Sequence, residues 1–142
     1  MDAWAGRNPT EQVFGQIGNS TYTPQFVIWT QFSSPELFRE KCEAADLIIS
    51  HAGIGNILLA IELRKPIIVM PRRAELNEHR NDHQMATVKR LKEKAGIGVI
   101  YDAAELDEVI QCARVSNIKP SLPTAASIEL LTTIRNFIGA DS

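Results

Sequence analysis

Residues 46–66 constrain the fold more than any other stretch: Asp46-Leu-Ile-Ile-Ser-His51-Ala-Gly53-Ile-Gly55-Asn-Ile-Leu-Leu-Ala-Ile-Glu-Leu-Arg-Lys-Pro66. A short apolar run, Leu47 to Ile49, ends at a loop carrying two glycines, and an apolar helical stretch follows at once. That order predicts a strand, a tight turn and a helix N-terminus. The glycines let the backbone turn sharply and leave no side chain between its N–H groups and a ligand. The first turn of a helix has N–H donors without intrahelical acceptors and a partial positive charge, so it suits phosphate. The stretch reads as a phosphate-holding turn in an α/β domain.

The flanking chain supplies matching elements. Glu11–Ile17 has the β-branched and aromatic content of a strand ended by Gly18-Asn19, and Gln25–Thr30 reads as a second strand. Ser34-Pro35-Glu36 is a helix start, with an N-cap, a proline at the first position and an acid in the first turn; Phe38, Cys42 and Ala45 follow on one face. Pro66–Pro71 is another short apolar strand. A polar loop, Arg72–Arg80, leads into a helix over Asn81–Ala95, with Met85, Val88 and Leu91 inward. Val99–Tyr101 is a short strand, and Asp102 with Glu105 makes a capping-box-like start for a helix through Leu106, Val109, Ile110 and Ala113. A final amphipathic helix contains Ile128, Leu131, Ile134 and Ile138. At the start, Asp2-Ala-Trp-Ala before Gly6 has the pattern of a last helical turn with a glycine stop, which suggests a segment upstream.

Near-continuous apolar strands alternating with helices predict a parallel sheet covered on both faces. Ligands in such sheets bind beyond the carboxyl ends of the strands. Two loops fall there, Ser50–Asn56 and Pro71–Gln84, and all three histidines, His51, His79 and His83, lie within them.

A length of 142 residues fits one domain with a real core. A net charge of −2 argues against a general nucleic-acid binder. Cys42 and Cys112 sit alone in helical stretches and read as buried reduced thiols, which suits a cytoplasmic setting. No apolar run approaches the roughly 20 residues of a membrane span, and the first residues lack a signal-peptide pattern.

The motifs narrow the ligand. His51-Ala-Gly-Ile-Gly55 lacks the third glycine of the dinucleotide fingerprint, and the next strand ends in Arg72-Arg73 rather than an acid for a ribose, so the pattern argues against NAD; the arginines make NADP only a little better. No Gly-Lys-Ser/Thr occurs, which excludes a P-loop. His79 and His83, four apart with Asp82 between, have the spacing of two metal ligands on one helical face, but His79 falls before the helix and no cysteine accompanies them. No metal or cofactor is expected.

Three blocks in order carry a resemblance over residues 2–115: Ala45-Asp-Leu-Ile-Ile-Ser-His-Ala-Gly-Ile-Gly55, Lys65-Pro-Ile-Ile-Val-Met-Pro-Arg72 and Asn77-Glu-His-Arg-Asn-Asp-His-Gln84. Together they resemble the C-terminal domain of glycosyltransferase family 28, in particular the small donor-binding subunits of two-part transferases that add a sugar to a polyprenyl-linked acceptor, of the exopolysaccharide and dolichol-pathway types. The resemblance implies a Rossmann-like parallel sheet flanked by helices, one half of a GT-B fold without its first strand, and residues 1–142 as a single UDP-sugar-binding domain. It implies metal-independent, inverting transfer from UDP-GlcNAc or UDP-glucose, in the cytoplasm, beside a membrane-associated partner subunit that binds the acceptor. Self-association of the chain is a further expectation.

By position in the family, the backbone of Ser50, His51, Ala52, Gly53, Gly55 and Asn56 would hold the diphosphate. Asn81, Asp82, His83 and Gln84 would reach sugar hydroxyls or phosphate, since amide and imidazole groups both donate and accept. His51 would flank the diphosphate and stabilise charge on the departing UDP. Arg72 or Arg73 would add positive charge. Bland readings stand beside these: a loop-capping His51, solvated arginines, Gln84 as an exposed helix residue and Asn56 as a helix cap. His51 and His83 are the candidate catalytic residues, and Asp82 is a further candidate base. The chain departs from the family at Leu59, where members carry a glutamate for the ribose; the nearest acid is Glu62. That departure keeps a rival open, a donor-domain relic that stabilises or regulates a partner.

Overall fold

The computed structural model describes residues 1–70 and 97–116, which fall in two compact units, Met1–Ala45 and Asp46–Ser142. The expected helices at 81–95 and around 128–138 lie outside the described residues.

The first unit opens with helix α1, Asp2–Arg7. Gly6 is inside this helix rather than at its stop, and the C-cap is Asn8, whose backbone N–H reaches the carbonyls of Trp4 and Ala5 and whose side chain also donates to Trp4 O at 2.9 Å. The reason for a glycine is contact: a Cβ at Gly6 would come within 2.9 Å of the Phe26 ring. At the other end of α1, the Asp2 carboxylate accepts the Tyr22 hydroxyl at 2.5 Å, the Gln25 N–H at 3.0 Å and the Phe26 N–H at 2.7 Å. The Tyr22 hydrogen bond, then that from Gln25, holds the carboxyl below its usual range, and the same contact with Asp2 raises the Tyr22 phenol.

Strands β1, Phe14–Gln16, and β2, Ile28–Thr30, pair in parallel with Phe14 opposite Ile28. Both are shorter than the stretches the sequence suggests. The N–H groups of Gln25 and Phe26 go to Asp2 instead of a strand partner, and Glu11 N–H closes a turn on Asn8 O at 3.0 Å. Helix α2, Pro35–Ala44, starts as read from the sequence: the Ser34 side chain accepts the Leu37 N–H, and proline stands at the start, where no intrahelical donor is lost. It buries Cys42 and half-buries Phe38, while Arg39 pairs with Glu43 on the outer face at 3.0 Å.

The second unit contains a parallel three-stranded sheet in the order β3 (Ile48–His51), β4 (Ile67–Met70) and β5 (Gly98–Val99). Helix α3, Ile54–Glu62, joins β3 to β4 as a βαβ unit. The middle strand is buried along Ile67, Ile68 and Val69. That burial accounts for its unbroken apolar run, since both faces of a central parallel strand are covered. α3 buries Ile57 and Ala60, three apart on one face, and ends with Arg64 at φ 52° while Lys65 N–H bonds Ala60 O at 2.8 Å. That is a Schellman-type stop with arginine where glycine is usual.

After β5, Ile100 N–H still reaches Val69 O, but the Tyr101 and Asp102 N–H groups turn to the Glu105 carboxylate, which ends the strand. Asp102 and Glu105 form a full capping box at a 3-10 turn, Ala103–Glu105, leading into helix α4, Leu106–Ser116. Leu106 and Ile110 are buried on α4, whereas Cys112 is exposed, so the expectation of two buried thiols holds for Cys42 and fails for Cys112. Cys112 follows Leu106 by six positions and falls off the face that Leu106 and Ile110 share. Among the described residues, no helix is long and apolar enough to cross a membrane.

These parallel strands and connecting helices are the α/β, Rossmann-like architecture expected, consistent with half of a GT-B fold.

Candidate functional site

β3 and β4 run parallel and end together, with His51 opposite Met70, so the chain leaves both strands at one edge of the sheet. The turn after β3 is tight. Gly53 N–H donates back to His51 O at 2.7 Å, and Ala52 is buried beneath it. Gly53 is the N-cap of α3 and offers no side-chain acceptor. The first helical bond at this end is Ile57 N–H to Gly53 O at 3.2 Å, leaving the N–H groups of Ile54, Gly55 and Asn56 without an intrahelical acceptor. These donors and the positive end of the α3 dipole face the edge where the strands end. The opposite end of α3 is followed by Arg64 and Lys65, whose charges complement the negative end.

The two glycines of the turn differ. Gly53 has φ −76°, open to any residue, yet a Cβ there would lie 2.5 Å from Nε2 and 3.0 Å from Cδ2 of His51. Gly55 is exposed, and a Cβ there would meet no described atom within 4 Å. Gly53 makes room for an imidazole of the same chain; Gly55 leaves space on the outside.

Asn56, expected as either a cap or a ligand group, is not the cap, because that position falls to Gly53. Its Nδ2 donates to Ser50 Oγ at 2.6 Å, tying the end of β3 to the first turn of α3. A serine at a strand end and an asparagine six residues later are ordinary in sequence, so only the fold reveals the pair. His51 is exposed at the end of β3. Leu59 is half-buried on α3 and Glu62 exposed at its last residue. Ser50, His51, Ala52, Gly53, Gly55 and Asn56 are thus gathered around one helix start. Arg72, Asn81, Asp82, His83 and Gln84, with Arg73 and His79, lie outside the described residues.

Comparison with known proteins gives one family match and several relatives. The family model described as "Glycosyltransferase family 28 C-terminal domain" matches residues 3–124. The UDP-N-acetylglucosamine transferase subunit ALG13 of Homo sapiens is 34% identical over 82 residues, 54% of this chain and 7% of that protein. The protein of the same name from Mus musculus is 33% identical over the same share of each. That of Candida albicans is 30% identical over 79 residues, 56% of this chain and 25% of that protein. The chain therefore spans a minor part of each of these relatives. No solved structure matches it.

Proposed function

The chain belongs to glycosyltransferase family 28 through its C-terminal domain, and from that premise we propose that it is the donor-binding component of an inverting UDP-N-acetylglucosamine transferase. The observation that carries this reading is the start of α3 at the carboxyl edge of β3, with glycine at its N-cap and at position 55, whose N–H groups suit a diphosphate. The N–H groups of Ile54, Gly55 and Asn56 bind its oxygens, and the helix dipole offsets its charge. His51, at the end of β3, donates to the leaving UDP as its charge develops. Arg72 adds positive charge, and Asn81, Asp82, His83 and Gln84 contact the sugar. His83 and Asp82 stand as candidate bases. Residues 1–142 act as one UDP-sugar-binding domain, without a metal or cofactor, in the cytoplasm. The acceptor is lipid-linked and is held by a membrane-associated partner subunit.

A UDP-glucose donor is the nearest variant of this reading, and binding decides between them. The melting temperature is measured with UDP, UDP-GlcNAc, UDP-glucose and NADPH, each in excess, with and without EDTA. A ligand that binds only the folded state at 100 times its Kd stabilises by about 2.7 kcal/mol. The expected result is a rise with UDP and UDP-GlcNAc that EDTA leaves unchanged. A rise with NADPH alone overturns the reading. A second reading, a donor-domain relic that stabilises its partner, is favoured by Leu59, which cannot accept a hydrogen bond from a ribose. No shift with any nucleotide supports that second reading.

A further inference from the structure

The contact between Gly53 and His51 has a consequence for the site. Gly53 does not need a glycine's backbone freedom, because φ −76° and ψ 130° are accessible to any residue. What it lacks is volume. A Cβ at this position would sit 2.5 Å from Nε2 of His51, closer than non-bonded atoms tolerate, and 3.0 Å from Cδ2, with Cε1 at ordinary contact distance, 3.4 Å. The imidazole therefore lies folded against the Cα of the α3 N-cap, within the space that any side chain at position 53 would take. The N–H donors of Ile54, Gly55 and Asn56 begin one residue further on.

We infer that Gly53 is a positioning residue for His51: by having no side chain it parks the imidazole over the start of α3, beside the donors that take the diphosphate. This deepens the donor-binding reading and rests on it for the ligand, but the placement of the ring can be tested without any ligand. The atoms that would clash are at the far end of a rotatable side chain, so Gly53→Ala is accommodated by swinging His51 away rather than by unfolding the turn. Any other residue at position 53 has the same effect with more bulk.

The test uses the full chain in four forms: wild type, Gly53→Ala, His51→Gln and the double variant. The His51 ring proton resonances are assigned by their loss in His51→Gln. In Gly53→Ala they are expected to move, while the melting temperature changes little. Unmoved His51 resonances overturn the inference. Titration with UDP then gives the coupling. Gly53→Ala is expected to weaken binding by roughly tenfold, the size of one hydrogen bond to a charged group, and to have no further effect in the His51→Gln background. Equal weakening in both backgrounds overturns the inference, because Gly53 would then act on the ligand directly. If wild type does not bind UDP, the donor-binding reading fails, and the ring resonances alone decide whether Gly53 positions His51.

Discussion

The two units use the same element, a parallel strand pair, in contrasting ways. In the second unit, β4 lies between β3 and β5, and Ile68 and Val69 are 0% exposed. In the first, β1 and β2 form a two-stranded sheet among the described residues, and Ile28 is 70% exposed, with Phe26 and Phe32 also open. An apolar strand residue is worth its burial, and burial depends on how many neighbours flank the strand, not on its sequence. Ile28 and Ile68 stand in similar apolar runs, yet only one is core. The second unit is held by its sheet. The first buries Trp4, Ala5, Val27 and Cys42 and adds polar fastenings: the Ser34 cap, the Asn8 cap and the Asp2 clasp.

Substitutions test this contrast. The largest effect is expected at the middle of β4: Ile68→Ala should cost about 2–5 kcal/mol in urea unfolding, because it empties a space closed on every side. A smaller loss would show that β4 is less enclosed than its burial implies.

Gly55→Ala should act in two directions. Its Cβ meets no described atom, so replacing a helical glycine should stabilise the protein by about 0.4–1 kcal/mol. The same methyl would stand between the α3 N–H groups and a diphosphate, so UDP affinity should fall. A rise in both stability and affinity would sink the placement of the ligand.

A smaller effect is expected in the first unit. Asp2→Asn should loosen α1, read by a red shift in Trp4 fluorescence, since Trp4 is buried. Asp2 is held below the ordinary carboxylate value of about 3.9 by its hydrogen bonds, with the Tyr22 hydroxyl the largest cause. The folded state therefore binds its proton less readily than the unfolded state. The clasp is fully present above that ordinary value and is lost as the pH falls through the lowered one. In wild type the Trp4 signal should change in acid, and in Asp2→Asn that acid step should be absent.

The smallest effect is at Ile28. Its replacement by alanine should shift stability by no more than about 0.5 kcal/mol, as for surface positions generally. A loss comparable to that of Ile68→Ala would mean that Ile28 is covered in solution, which would remove the contrast between the units.

Much of this architecture was legible in the residues. The strand, glycine turn and helix over Ile48–Glu62 follow from an apolar run, two glycines and a second apolar run. The α2 start was marked by Ser34-Pro35-Glu36 and the α4 start by Asp102 and Glu105, because caps are local chemistry between residues two or three apart. Strand lengths were not legible. β2 is cut short by Asp2, more than twenty residues away, and β5 by the Glu105 carboxylate. The same holds for glycines. Gly6 looked like a helix stop and is instead a place where the Phe26 ring approaches the backbone.

At the candidate site the division is similar. The residues in order show that a glycine turn follows an apolar strand, that the turn starts a helix, and which family the three motif blocks resemble. Those are matters of local propensity and order along the chain. That Asn56 ties to Ser50 rather than capping the helix is visible only once the chain has folded. So is the difference between Gly53, which leaves room for the His51 ring, and Gly55, which faces open space. Both glycines read alike in one dimension. Their roles separate only when the backbone has turned and fixed which atoms come within a few ångströms of each missing side chain, because excluded volume is a property of neighbours in space and not of position in the chain.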